Sequence, residues 1–360
     1  MPPVSFSHDS VHADDAALDA LFNAFDIGEL SLPRDGAVLF LRARPGPWMH
    51  RNDVRKWTCV QSFKPHADGL LRYVGSVEQT IPEDHRFDLV LVLPPRQRDE
   101  ARALLAQALN CRSEGGKVVV SISNNEGARS SQDDLERLAG PVQHLSKSKC
   151  RVFWTTPELH VDRELQAQWQ ALDRVQAVAD GWLSRPGLFA WNRVDPASAL
   201  LASHLPDSLH GAVADLGSGF GYLAAQALQR CAAITTLDLY DAEARALEPA
   251  RQNLRRVADE CGRSNVSVNT IWHDVTDGLP MRYNAIVSNP PFHQGRADLP
   301  GLGQRFIDVA ADALEPDGEI WLVANRHLPY ETTLNCRFAH VRSIAQENGF
   351  KILHAREPHR

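Results

Sequence analysis

The chain of 360 residues has no continuous apolar run near the roughly 20 residues that a membrane-spanning helix needs, which argues against a helical membrane protein. It shows no basic-then-apolar leader after Met1, so an unexported, cytoplasmic protein is expected. Cysteine is sparse: Cys59, Cys111, Cys150, Cys231, Cys261 and Cys336 lie far apart, without the paired spacing of zinc sites or a dense disulfide framework. Reduced, mostly buried thiols are the expectation. The 15 histidines form no group with ligand spacing, and no metal is assigned. Positive charge is in deficit, and a net charge of −7 argues against a protein that coats nucleic acid without selection. Local basic surface remains open at Arg42, Arg44, Arg51, Arg55 and Lys56, at Arg96 and Arg98, and at Lys147, Lys149 and Arg151. Each of these alone reads as solvated surface charge.

What is there is a chain too long for one ordinary core; at roughly 150 residues per domain it should hold two. Residues 1–16 are polar and unpatterned. Ala17 to Phe25 has a short helical pattern, and GAVLFL from Gly36 reads as a buried strand. FDLVLVL from Phe87 ends in Pro94 and Pro95; a helix follows from about Asp99 to Asn110, with acids at its positive end. KVVVSI from Lys117 is another strand. Strands alternating with helices imply an α/β fold with a mostly parallel sheet.

The same order recurs in the second half. GAVLFLRARPG from Gly36 lies against GAVADLGSGFG from Gly211, RFDLVLVLPPR from Arg86 against RYNAIVSNPPF from Arg282, and EGGKVVVSIS from Glu114 against PDGEIWLVAN from Pro316. An internal duplication is the economical explanation. Where the second half has Asp215, Gly217, Gly219 and Asn289, the first has Phe40, Arg42, Arg44 and Leu93. The first half thus reads as a retired copy kept for structure or for holding substrate, and Arg42 and Arg44 suit the second role. Between the halves, Leu165, Trp169, Leu172, Val175, Val178 and Trp182 recur at helical spacing from Asp162 to Trp182, which predicts a packing helix.

Chemistry concentrates in the second half. DLGSGFG, Asp215 to Gly221, follows a strand and precedes a helix from Tyr222 to Cys231, and its glycines let a ligand press against the main chain. A dinucleotide site spaces its third glycine two residues after the second; here one residue separates Gly219 from Gly221, which weighs against NAD. An acid two residues before the first glycine instead fits a ligand with an ammonium group, such as the methionine part of S-adenosylmethionine. Asp241 closes the strand from Ile234, about 20 residues beyond the glycines, where ribose hydroxyls are held in nucleoside-binding sheets; strand alternation puts its competitor Asp238 off the tip. Asp241 also suits a helix cap. Pro249 should kink the next helix or shift its start. Asp274, after the strand Val266 to Trp272, is placed to bond an adenine amino group.

The strand Asn284 to Ser288 then delivers SNPPFHQG, Ser288 to Gly295, to the edge where open α/β folds bind ligands. An amino group conjugated to a flat ring is a poor nucleophile until its hydrogens are held by fixed acceptors. The Asn289 side-chain carbonyl and the Pro290 backbone carbonyl are two such acceptors, stiffened by Pro290 and Pro291. Phe292 offers a face for the ring, a contact worth roughly 1–3 kcal/mol per base. The competing explanation for the tetrapeptide alone is a turn after a strand.

DLGSGFG followed by NPPF is similar to the class I S-adenosylmethionine-dependent methyltransferases acting on amino nitrogens. Within them the chain resembles the bacterial ribosomal RNA guanine-N2 methyltransferases, of the small-subunit type and its large-subunit relative. The likeness also runs through PGLFAWNRVDPASALL from Pro186, DAEARALEPAR from Asp241 and VANRHLPYE from Val323, and it departs from the family's F-S-R-x-G-x-D where AWNRV follows Phe189, while Asp195 and Ser198 keep their places. The resemblance implies two tandem Rossmann-like methyltransferase domains: a degenerate one over residues 1–160, a helical linker over 161–185 and the catalytic one over 186–360. It implies S-adenosylmethionine held by Asp215, Gly217, Gly219, Gly221, Asp241, Asp274 and Asn289, with Asn289, Pro290 and Phe292 catalytic. Phe292, Arg42 and Arg44 would meet the RNA. It implies a monomer that methylates a guanine amine in ribosomal RNA, with 16S RNA of the small subunit preferred to 23S. Protein-glutamine and DNA adenine methyltransferases are rivals, lowered by Phe292 in place of a tyrosine and by the lack of a recognition insertion. A non-catalytic RNA-binding assembly factor is lowered by the intact second motif set.

Overall fold

The computed structural model describes residues 15–82, 85–156, 159–291, 293–294, 297–298 and 300–359. The chain divides into two compact units, Met1–Arg174 and Val175–Arg360.

The first unit runs α1 (Ala16–Asp26), β1 (Val38–Leu41), α2 (Pro47–Arg51), β2 (Thr58–Val60), α3 (Lys64–Leu70), β3 (Val77–Glu78), β4 (Phe87–Val92), α4 (Arg98–Cys111), β5 (Arg112–Ser123), α5 (Ala128–Ala139), β6 (Val142–Lys147), β7 (Cys150–Thr155) and α6 (Arg163–Gln170). Its seven-stranded sheet has the order β3-β2-β1-β4-β5-β7-β6. Pairing is parallel from β3 to β5 and antiparallel where β7 meets β5 and β6. All of VLFL in β1 is buried, because helices cover both faces of such a sheet and leave no solvent side to alternate with. Asp15 caps α1 by accepting from the Leu18 amide, and Ser121 Oγ on β5 donates to the Ala17 carbonyl at 2.6 Å, which seats α1 on the sheet.

The second unit runs β8 (Gln176–Ala177), β9 (Leu183–Ser184), α7 (Pro196–His204), β10 (His210–Leu216), α8 (Tyr222–Arg230), β11 (Ala233–Asp241), α9 (Ala244–Glu260), β12 (Ser267–Trp272), β13 (Tyr283–Ser288), β14 (His293–Gln294), β15 (Ala297–Asp298), α10 (Pro300–Ala313), β16 (Leu314–Asn325), α11 (Tyr330–Arg337), β17 (Phe338–Glu347) and β18 (Phe350–Pro358). Its main sheet, β12-β11-β10-β13-β16-β18-β17, repeats the first unit strand for strand, with β18 antiparallel to its neighbours. The order reverses at β10, so a crevice opens beyond the carboxyl ends of β10 and β13. The duplication extends to register: Leu41 pairs with Val60 and Val92 as Leu216 pairs with Tyr240 and Ser288. Gln61 therefore stands where the second unit has Asp241, and Leu93 where it has Asn289.

One expectation is corrected. The apolar stripe from Asp162 to Trp182 is not one helix: α6 ends at Gln170, a short 3-10 turn covers Ala171–Asp173, and β8 and β9 form a hairpin. Asp180 and Gly181, both at positive φ (58° and 73°), turn that hairpin, a conformation no helix contains. The stripe is instead shared between the units. Trp169 lies under the Arg102 guanidinium (4.9 Å) in the first, and Trp182 packs on Phe220 and Tyr222 in the second. Pro249 neither starts nor ends α9; it sits on the buried face one turn in, where its missing N–H forgoes a single bond to the Arg245 carbonyl. Four cysteines are buried and two exposed, and all six are free. Among the described residues, no helix is long and apolar enough to cross a membrane.

Candidate functional site

The glycine loop between β10 and α8 lies against the end of β11, where the Gly217 and Ser218 amides both donate to the Tyr240 carbonyl (2.9 and 3.0 Å). Gly217, Gly219 and Gly221 have φ of 74°, 54° and 84°, the left-handed region that side chains resist. Their surroundings separate them. A Cβ on Gly219 would meet nothing within 4 Å, so its backbone faces open space. One on Gly217 would stand in ordinary contact with the Asn289 carbonyl and Pro291. One on Gly221 would fall 2.6 Å from Leu254 and 3.4 Å from Ala250 of α9. Gly221, expected to hold cofactor, is thus a packing glycine that lets α8 start close against α9, and it is absent from the cleft lining.

Asp215, at the end of β10, is fully buried and does not line the cleft. Its Oδ2 accepts from the Ala224 amide in the first turn of α8 (3.0 Å), while Oδ1 is buried with no hydrogen-bond partner. Burial pushes its carboxyl up to about 7, against the Ala224 bond, and the nearby Asp241 charge adds to the rise. Asp241 is half-buried; its Oδ2 accepts from the Gly219 amide (2.7 Å) and its Oδ1 from Glu243 (2.8 Å). Burial raises it to about 6 in spite of those bonds. Its competitor Asp238 is deep in the unit, accepting from Tyr283 Oη (2.7 Å) and Asn269 (2.8 Å), so only Asp241 reaches the rim. Asp274 is half-buried after β12 and uses one oxygen to cap a 3-10 turn, accepting from the amide and hydroxyl of Thr276.

Asn289 follows β13, whose end is held by Ser288 Oγ donating to the Leu216 carbonyl (2.7 Å). Its Nδ2 donates to Asp195 Oδ2 (3.0 Å) and Ser198 Oγ (2.9 Å). Pro290 is buried and Pro291 exposed. Phe292 lies outside the described residues. Around Asn289 opens a cleft lined by Phe189, Ala190, Asp195, Ser198, Gly217 to Phe220, Tyr222 and Leu223. Among the described residues, no group of His, Cys, Asp and Glu is placed to hold a metal ion.

Asp195 and Ser198 come to this cleft because Asp195 caps α7, accepting from the Ser198 amide (2.9 Å). The sequence marked Asp195 and Ser198 only as positions that the family resemblance keeps, with nothing to say that Asn289 would meet them. Phe189 is 63% exposed, and Ala190 beside it is held at φ 47°; the chain before them is anchored by Asn253, which bonds both backbone groups of Leu183 and the Phe220 carbonyl.

In the first unit the corresponding rim is closed. Phe40 is fully buried where the second unit has Asp215. Arg42 keeps a left-handed backbone (φ 52°), like Gly217, but its guanidinium is bound to Glu100 at 2.8 Å. Arg44 pairs with Asp15 at 3.0 Å, and burial lowers its pKa. Gln61 donates to the Ala43 carbonyl (2.6 Å) where Asp241 accepts from Gly219. Arg42 and Arg44, expected on RNA, each pair with an acid of their own unit.

Residues 181–354 match the profile of the methyltransferase small domain. The chain is 32% identical over 312 residues to ribosomal RNA small subunit methyltransferase C of Pseudomonas paraeruginosa, covering 82% of this chain and 90% of that one. To the protein of the same name from Vibrio cholerae it is 31% identical over 293 residues, covering 80% and 82%. The fold matches the solved T. thermophilus 16S rRNA N2 G1207 methyltransferase, in complex with AdoMet and guanosine, with a TM-score of 0.78 at 23% identity over 95% of this chain and 92% of that one.

Proposed function

The chain belongs to the ribosomal RNA small subunit methyltransferase C family, and from that premise we propose that it methylates the exocyclic N2 amine of a guanine in 16S ribosomal RNA, using S-adenosylmethionine. The observation that carries the reading is Asn289: a carboxamide tied by its nitrogen beside a glycine loop whose Gly219 is open to a ligand.

The residues present fit the cofactor. Asp215 has a buried oxygen without a partner directly behind the glycine loop, where it bears on the ligand only through that loop. Gly219 leaves room where any side chain would stand, and Asp241 retains lone pairs for ribose hydroxyls. Asp274 keeps one carboxylate oxygen for the adenine edge. When bound, S-adenosylmethionine supplies a methyl group made electrophilic by its sulfonium.

The chain's own part is positioning. The target guanine leaves its stack, at a cost of a few kcal/mol that is smaller in a loop. The Asn289 Oδ1 and the Pro290 carbonyl accept the two hydrogens of its amine and turn the lone pair toward the cofactor, while Phe292 offers its ring to the base. No strong general base is required, because the amine becomes acidic only once methylated and loses its proton to water. In this reading the protein acts as a monomer in the cytoplasm, where its substrate is. The test is incubation with labelled cofactor and, separately, 16S RNA, 23S RNA, 30S particles and release factors, followed by nucleoside digestion. Label in N2-methylguanosine from 16S RNA or 30S particles is expected; label in 23S RNA, in an adenine or in protein would refute the assignment.

A further inference from the structure

We propose that Asp195 and Ser198 set the polarity of the Asn289 carboxamide, so that its oxygen and not its nitrogen meets the incoming amine; this rests on the methyltransferase reading above. A carboxamide has nearly the same shape after a half turn, yet one end accepts hydrogen bonds and the other donates them. With the nitrogen forward, Asn289 would present hydrogens to the hydrogens of a guanine amine. Asparagine by itself does not decide between the two.

The clamp decides it. The Asp195 carboxylate only accepts, so the end of Asn289 that faces it must be the nitrogen. Ser198 Oγ takes the second hydrogen at 2.9 Å, which leaves the nitrogen nothing to donate elsewhere. Both partners sit in the first turn of one helix, and Asp195 Oδ2 is itself fixed by the Ser198 amide. The strand end does not need this clamp, since Ser288 already ties it to β10.

The first unit is an internal control. Asp15 caps α1 there through the Leu18 amide, as Asp195 caps α7 through Ser198. The cap acid has survived, but Leu18 replaces the serine and Leu93 the asparagine, both buried. The free side of Asp15 has been taken by Arg44. Serine and amide were lost together, and the cap alone was worth keeping for the fold.

The test uses the full chain with Asp195→Ser, Ser198→Ala and Asn289→Asp. Serine caps a helix about as well as aspartate, so Asp195→Ser should keep its melting midpoint. Its kcat should fall ~10–100-fold, because the shorter hydroxyl caps the Ser198 amide without holding the Asn289 nitrogen, which is then free to turn to the substrate. Asn289→Asp sets two carboxylates face to face, and its kcat should fall ~10³-fold or more. Ser198→Ala leaves the cap and the Asp195 bond in place, and its kcat should fall less than that of Asp195→Ser. In the wild type without cofactor, NMR should show the Asn289 side-chain amide protons protected from exchange, and Asp195→Ala should remove that protection. Full turnover in Asp195→Ser or an unprotected wild-type amide would each overturn the proposal. A protected amide in a wild-type protein that methylates no RNA would support the clamp and count against the proposed function alone.

Discussion

The two units share one strand order and one register at the centre of the sheet, but one carries an open rim and the other a closed one. The second unit buries a carboxylate with an unpartnered oxygen at Asp215 and holds three glycines at positive φ. An unsatisfied buried polar group costs about 1–3 kcal/mol. The first unit has Phe40 there instead, a side chain whose full burial contributes about 1.5–3 kcal/mol. Its Arg42 has a backbone that a glycine would adopt more readily, at φ 52°. The difference teaches that the sheet is maintained by its apolar strands, while the chemistry depends on a few rim residues that are costly to the fold.

The sharpest way to break the comparison is to make the second rim resemble the first. Asn289→Ala should lower kcat ~10³-fold, about 4 kcal/mol, with cofactor affinity by calorimetry changed less than about threefold. Leu93→Met, at the matching position of the first unit, should leave turnover at the wild-type value, since such a volume-conserving change costs under about 1.5 kcal/mol. Next comes Gly219→Val, which fills the open space and strains a residue at φ 54°. Cofactor affinity should fall ~100-fold, with a stability loss of about 1–3 kcal/mol. Gly221→Ala should invert that pattern: α9 is in the way, so the loss should appear first in the melting temperature.

A third difference is one of pH. The fold keeps Asp215 protonated up to about 7, well above an unfolded aspartate near 3.9. Between those values the native unit holds a proton that the unfolded chain has released. Its stability should therefore fall as pH rises from about 4 to about 7, then level off. Asp241, raised to about 6, adds to the fall over a narrower window. Urea unfolding at pH 5 and 7.5 should show the slope in the wild type and a shallower one in Asp215→Asn. Phe40 and Gln61 carry no charge at the matching places of the first unit, where burial instead lowers His66 to about 4, so that its contribution to stability rises over the same range. The smallest effect is expected at Arg42: its pair with Glu100 is partly exposed, so Arg42→Ala should cost under about 1 kcal/mol in thermal unfolding. Because Glu100 already engages the guanidinium, KM for RNA should change less than about twofold.

Much of this was legible in the sequence where the signal is local. The apolar runs announced β1, β4, β10 and β13, and β11 ends at Asp241 as alternation required, with Asp238 turned into the core. The repeat could be aligned through its strands because fully buried strands tolerate few residue types. The stripe from Leu165 to Trp182 misled because period alone cannot tell one helix from two segments serving separate cores, and the Asp180-Gly181 turn outweighed it. The glycines looked alike on the page and proved unlike in place, since what a Cβ would strike at Gly221 comes from α9, some thirty residues along the chain.

The sequence by itself determined the duplicated α/β architecture, the different residues at the matching rim of the first copy and the rim at which Asn289 would stand, because strand burial and turn geometry are written in neighbouring residues. Only the tertiary structure decided which glycine faces open space, that Asp215 is sealed behind the cleft while Asp195 lines it, and that Arg42 and Arg44 are already paired. It also decided which way the Asn289 amide points, through partners 94 and 91 residues away. Those outcomes hang on contacts between segments far apart in the chain, and the direction of a hydrogen bond is set by the partner it finds.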